Sequence, residues 1–206
     1  GKGFKFGVTS AGIPVLSPYT TGVGYYNNAE FLSQYEDADR RKNAEKAMLA
    51  EWGVDADVIE QLYRSEAYTP TVRTFLITAM SKIDNPAYRA NYLADAVTAP
   101  TRLIAQNKLQ IAQYFAMLDD SGQIDGFVEN TNLAMALTQN GAIIMPFVAD
   151  YLGWTDEIRQ PVADFAELAG PGKQAARAEI HVLGRASPAF KAGAQSLGVR
   201  TVEVSR

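Results

Sequence analysis

Leu133-Ala-Met-Ala-Leu-Thr-Gln-Asn-Gly-Ala-Ile-Ile-Met-Pro-Phe-Val148 sets Asn140-Gly141 between two apolar runs. A type I′ turn needs positive φ at both central residues, and Asn-Gly meets that need at low steric cost, so the stretch predicts a β-hairpin. Pro146 has no N–H to give to a ladder, which assigns it to a strand end or an edge.

Moving toward the C-terminus, Thr155 is placed to cap a helix carrying Ile158, Val162, Phe165 and Leu168, and Gly170-Pro171-Gly172 closes it. Glu179 to Leu183 then reads as a short strand. Ser187-Pro188 opens a helix, Gly198 ends it, and Val199 to Val204 alternates as a second strand. A strand, a helix and a strand in so short a span make a compact unit with parallel strands.

Moving toward the N-terminus, the grammar is helical. Thr69-Pro70 and Asn85-Pro86 each put a capping side chain directly before a proline, which fixes the first turn of a helix. The first of these helices carries Val72, Phe75, Leu76, Ala79, Met80 and Ile83 as a one-sided stripe. Pro100 predicts a break near Ala99 before a further run through Leu103, Ile111, Phe115 and Leu118. Asp55 caps a helix facing inward with Val58, Ile59, Leu62 and Tyr63. Before it, Phe31, Leu32, Tyr35, Ala44, Ala47, Met48 and Trp52 trace one bent helix or two, stopped at Gly53.

The first 28 residues hold six glycines and two prolines, which excludes a helix and allows one short edge strand between Val8 and Leu16. The expected fold is therefore α+β. It comprises an extended Gly-rich N-terminal arm (1–27), a helical bundle-like part (28–118) and a small mixed β-sheet with covering helices (119–206), expected to form one compact unit with a seam between Leu118 and Leu133.

At 206 residues the chain is long enough for a substantial core, and 47% hydrophobic with 20% charged residues is the composition of a folded, soluble protein. A net charge of −4 gives no field to attract phosphate backbones, so nucleic acid is not an expected partner. Arg40, Arg41 and Lys42 are flanked by Glu36, Asp37, Asp39 and Glu45 and read as a solvated helix face. The absence of cysteine excludes disulfides, thiolate metal sites and a cysteine nucleophile. No apolar run approaches the length of a membrane span. The chain opens Gly1-Lys2-Gly3 without an initiator Met, as a processed chain or a segment of something longer would.

Chemistry is sparse. Gly184-Arg185-Ala186-Ser187-Pro188 is the best-placed ligand candidate, because free N–H groups at a helix start, the Ser187 hydroxyl and the Arg185 guanidinium are all suited to a phosphate or carboxylate. Ser-Pro at that place is explained fully by capping, which is the preferred reading. Gly170-Pro-Gly-Lys173 lacks the first glycine and the metal-binding hydroxyl of a phosphate-binding loop and reads as a plain loop.

Aligning Gly122 with the glycine of an EF-hand calcium loop puts Asp119, Ser121 and Asp125 at oxygen-bearing positions. The ends fail, because Met117 and Val128 fall where the first ligand and the clamping carboxylate belong, so a polar turn is the preferred reading. His181, the only histidine, sits mid-strand and builds neither a metal site nor a Ser-His-Asp arrangement by itself. No motif calls for a cofactor.

Three functions stay open. The first is a non-catalytic protein-protein interaction or assembly domain with protein partners, which the glycine-rich aromatic arm and the lack of a site motivate. The second is an enzyme with a carboxylate- or backbone-based site near the carboxyl edge of the sheet, which would require perturbed titratable groups converging in one cleft. The third is a small-anion or nucleotide binder at the 184–188 turn.

Overall fold

A computed structural model of the chain describes residues 37–128 and 134–204. The expected N-terminal arm, the strand at Val8 to Leu16, the positions Phe31, Leu32 and Tyr35, and the seam residue Leu133 lie outside the described residues. The chain divides into two compact units, the first ending at Gly122 and the second resuming at Gln123. Helices fill the first and a five-stranded mixed sheet with two helices forms the second, an α+β fold.

The helical unit runs α1 (Ala38–Glu51), α2 (Ala56–Arg64), α3 (Pro70–Ser81), α4 (Pro86–Ala96) and α5 (Arg102–Asp120). Each begins on a side chain that accepts from a free N–H of the first turn: Asp37 from Asp39, Asp55 from Asp57, Thr69 from Val72, Asn85 from Tyr88 and Thr101 from Ile104. The break expected near Ala99 is present between α4 and α5.

Two faces differ from the sequence expectation. In α3, Thr74, Ile77 and Thr78 are buried along with Leu76, Ala79 and Met80, so the helix is central rather than one-sided, packing on both α1 and α5. In α1 the buried positions are Glu45 and Leu49, whereas Ala47 is exposed. A carboxylate sits on the inward face because partners from other helices receive it. Elsewhere the unit closes on Leu62, Ile83, Leu93 and Phe115, with Tyr88 edge-on to Phe115 at 6.1 Å. The Tyr68 hydroxyl donates to the Ala96 carbonyl at 2.9 Å, and that of Tyr92 to the Lys108 carbonyl at 2.5 Å.

The second unit runs β1 (Ile124–Phe127), β2 (Ala136–Thr138), β3 (Ala142–Leu152), α6 (Asp156–Ala166), β4 (Arg177–Ala186), α7 (Pro188–Ser196) and β5 (Val199–Val204). Spatial order follows chain order, with β1-β2-β3 antiparallel and β3-β4-β5 parallel. Helices α6 and α7 cover one face, where Val162, Phe165, Phe190 and Ala194 pack on Ile143, Met145, Ile180, Val182 and Val199. Trp154 lies edge-on to Phe190 at 5.7 Å.

The Asn-Gly hairpin forms, but with a different turn. The Thr138 carbonyl accepts from the Gly141 N–H at 2.8 Å, and Leu137 pairs with Ile143, so the connection has three residues with Gly141 at φ +79° as its last. Thr138 tips the balance, because its hydroxyl oxygen accepts from the Ala142 N–H and donates to the Asn140 side chain at 2.7 Å. Pro146 stands in the middle of β3 rather than at a strand end. Its position lies past the last β2 pairing, so that side of β3 has no described strand to receive an N–H. Strand β4 is longer than expected, because Arg177 and Ala178 extend it at one end and Gly184 to Ala186 at the other, all paired to β3.

Candidate functional site

The β4-α7 turn brings Gly184, Arg185 and Ser187 together, as the sequence implies. Ser187 is buried, its Oγ accepts from the Phe190 N–H at 3.0 Å, and its N–H donates to the Leu152 carbonyl at 2.9 Å. Gly184 has a packing reason of its own: at φ +142° it lets the Ala149 carbonyl approach where a Cβ would stand 1.8 Å from the oxygen. Arg185 is exposed.

This turn already holds an anion of the chain's own. Glu203 of β5 accepts from the Ala186 N–H at 2.7 Å and from Lys191 Nζ at 2.9 Å. Those contacts, the backbone bond foremost, hold its carboxyl below the usual carboxylate range, with the Arg185 charge adding to the effect. Sequence reasoning missed Glu203, although the alternation of β5 puts it on the same face as Val199 and Thr201, toward α7.

On the other face of the sheet, Glu179 is buried among cations. Arg177 Nε donates to its Oε1 at 2.8 Å, Arg200 reaches the same oxygen at 3.4 Å, and His181 Nε2 meets Oε2 at 3.1 Å. Arg177 also donates to the Asn140 carbonyl at 3.0 Å, tying the cluster to the hairpin turn. Burial raises the Glu179 pKa, but the Arg177 and His181 hydrogen bonds outweigh it and the net shift is downward. Burial pushes the His181 pKa down, and its bond to Glu179 only partly offsets this.

The unfolded chain therefore binds a proton on this imidazole more readily than the folded one, so stability is expected to fall as pH drops below about 6.5. A further loss follows as Glu179 is forced to protonate in acid. Urea midpoints read by Trp154 emission in a Trp52→Phe background between about pH 8 and pH 5 test this, and His181→Gln should flatten the slope. An unchanged slope in the variant would refute the assignment.

The calcium-loop positions are put to structural use. Asp119 Oδ2 accepts from the Asp84 N–H at 3.2 Å, Ser121 Oγ donates to the Leu118 carbonyl at 2.9 Å, and Asp125 is exposed on β1. Among the described residues no group of three or more His, Cys, Asp or Glu side chains is placed to hold a metal ion, and no helix is long and apolar enough to cross a membrane.

The helical unit holds a polar centre that the sequence did not flag. Glu45, 1% exposed, accepts from the Tyr63 hydroxyl at 2.6 Å and from Thr74 Oγ1 at 2.5 Å, while Arg73 Nε stands 3.9 Å and Arg41 Nε 4.0 Å away. The Arg73 guanidinium lies 4.1 Å from the centre of the Tyr63 ring. Burial, then the bond to Glu45, raises the Tyr63 pKa far above its usual value.

The remaining feature is the outer edge of the sheet. Strand β5 pairs with β4 from Val199 to Val204 without a bulge, and among the described residues no strand pairs with its other side. Beside it, Lys191, Gln195, Gly198, Val199, Arg200 and Thr201 line a groove of about 410 Å³. No family model, curated protein or solved structure matches the chain.

Proposed function

We propose that this chain is a non-catalytic protein-protein interaction module that assembles by strand addition at β5. The observation that carries the reading is the contrast between the two ends of the sheet. At one end, β1 is four residues long and bulged between Ile124 and Gly126, with exposed Asp125 in the bulge, the devices by which proteins blunt an edge. At the other, β5 also carries exposed charges, Arg200 and Glu203, but it is longer and unbulged: six residues, regular register, no proline, and β-branched residues at four positions. An edge of that kind is a template for another extended chain.

The state of the charged groups supports the same reading. An enzyme that works through carboxylates needs one held ready for substrate. Glu45, Glu179 and Glu203 are each held by hydrogen bonds from within the chain, and the anion position at the α7 start is filled by Glu203.

Amide hydrogen exchange on the intact chain tests the proposal. The amides of 199–204 that do not bond to β4 are expected to exchange fast in dilute protein and to become protected when the protein is concentrated or mixed with a strand-forming peptide. The β1 amides are expected to stay unchanged. If β5 exchange is the same under both conditions, the proposal fails.

A further inference from the structure

We infer that the helical unit carries a binding site for a phosphoryl dianion, formed by Arg41, Lys42 and Arg73 beside Tyr63. Three helices bring cations to this one ring. Lys42 and Lys46 of α1 stand 5.8 and 5.0 Å from its centre and the Arg73 guanidinium of α3 stands 4.1 Å from it, while Tyr63 itself comes from α2. Arg73 also faces Glu45, and Arg41 faces the same carboxylate. Four positive charges therefore gather around one tyrosine in a chain whose net charge is −4.

Acceptors fall short of that charge. Lys46 is satisfied, donating to Glu60 at 2.5 Å. Glu45 is the other carboxylate within ion-pair distance of the four among the described residues, and its oxygens already take the Tyr63 and Thr74 hydroxyls. It stands 3.9 Å from Arg73 and 4.0 Å from Arg41, too far for a hydrogen bond to either. Arg73 Nε is buried with no acceptor, and exposed Lys42 has no carboxylate within 4.0 Å among the described residues. Two positive charges are thus left over, on side chains that reach the ring from two helices. A phosphoryl dianion matches that excess and offers oxygens in several directions, whereas a carboxylate brings one charge and two oxygens in a plane. The site belongs to the helical unit and does not depend on strand addition at β5.

Calorimetric titration of the full chain with inorganic phosphate at about pH 8, where phosphate is a dianion, tests the site, with sodium chloride holding the ionic strength constant. One-to-one binding is expected, together with a rise in the urea midpoint read by Trp52 in a Trp154→Phe background; acetate, a monoanion, is expected to give neither. Lys42→Gln and Arg41→Gln are each expected to weaken phosphate binding at least about tenfold. Lys173→Gln, an exposed lysine of the other unit, is expected to leave it unchanged. In phosphate-free buffer Lys42→Gln is expected to keep the wild-type midpoint, because the lysine has no carboxylate to lose; a fall there would mark it as a structural support and count against the site. A peptide carrying one phosphoserine, beside its unphosphorylated form, separates the sources of the group. Tighter binding of the phosphopeptide than of phosphate supports an ester on a partner, and equal or weaker binding supports the free ion. No binding of either, or binding that survives both substitutions, would overturn the site.

Discussion

Glu45→Ala is expected to destabilise the helical unit by about 3–5 kcal/mol, the loss typical of removing one member of a buried ion pair. The carboxylate is the common acceptor for Tyr63 and Thr74 and the counter-charge for Arg73, whose side chain is only 11% exposed and whose Nε has no hydrogen-bond partner among the described residues. Alanine strands that guanidinium and two hydroxyls in a space shaped for a carboxylate. Glu45→Gln keeps an acceptor and loses the charge, so its expected cost is smaller, about 1–3 kcal/mol. The double change Glu45→Leu with Arg73→Leu is expected to recover much of the loss, because no charge is then left uncompensated. The two tryptophans, Trp52 and Trp154, lie in different units, so urea unfolding of a Trp154→Phe background reads the helical unit through Trp52, which packs under Arg89 at 4.8 Å. A loss below about 1 kcal/mol for Glu45→Ala would show that the centre is solvated in solution.

That centre also shows where sequence reading stops. The helix starts at Asp55, Thr69, Asn85 and Ser187 were legible because a cap is a local device: the side chain and the N–H it serves are two or three residues apart. The break at Pro100 and the parallel β4-α7-β5 unit were legible for the same reason. Glu45 was not, because it stands beside Arg41 and Lys42 in a charged stretch and its partners Tyr63 and Thr74 are 18 and 29 residues away. The α1 face was misjudged with it, since a charged residue counts as outward until its partners are known. Pro146 misled by the same logic: whether a proline interrupts a ladder depends on where the neighbouring strand ends, and β2 ends before it. At the candidate site the residues of the 184–188 turn were legible and its occupant was not, because Glu203 reaches it from the next strand.

Gly184→Ala is the second large expected effect, and it separates the packing role of that glycine from any ligand-binding role. Two costs combine. A side chain at φ +142° is strained, by about 1–2 kcal/mol on the scale of left-handed backbone, and the new Cβ would sit 1.8 Å from the Ala149 oxygen and 2.9 Å from its carbonyl carbon. Both atoms are backbone, in the paired strand where the β3-β4 register shifts between Ala149 and Tyr151, so relief requires opening the ladder at its carboxyl end. The expected loss is therefore more than about 3 kcal/mol. Gly198→Ala is the control, because Gly198 also has positive φ, +78°, yet nothing lies within 4 Å of its Cβ position; its expected cost is about 1 kcal/mol. In a Trp52→Phe background, Trp154 reports both, and the difference between the two variants isolates the contact with Ala149 from the backbone strain. Equal losses would mean that β3 yields easily at its carboxyl end, and the close approach at Gly184 would then be no constraint on the turn that follows it.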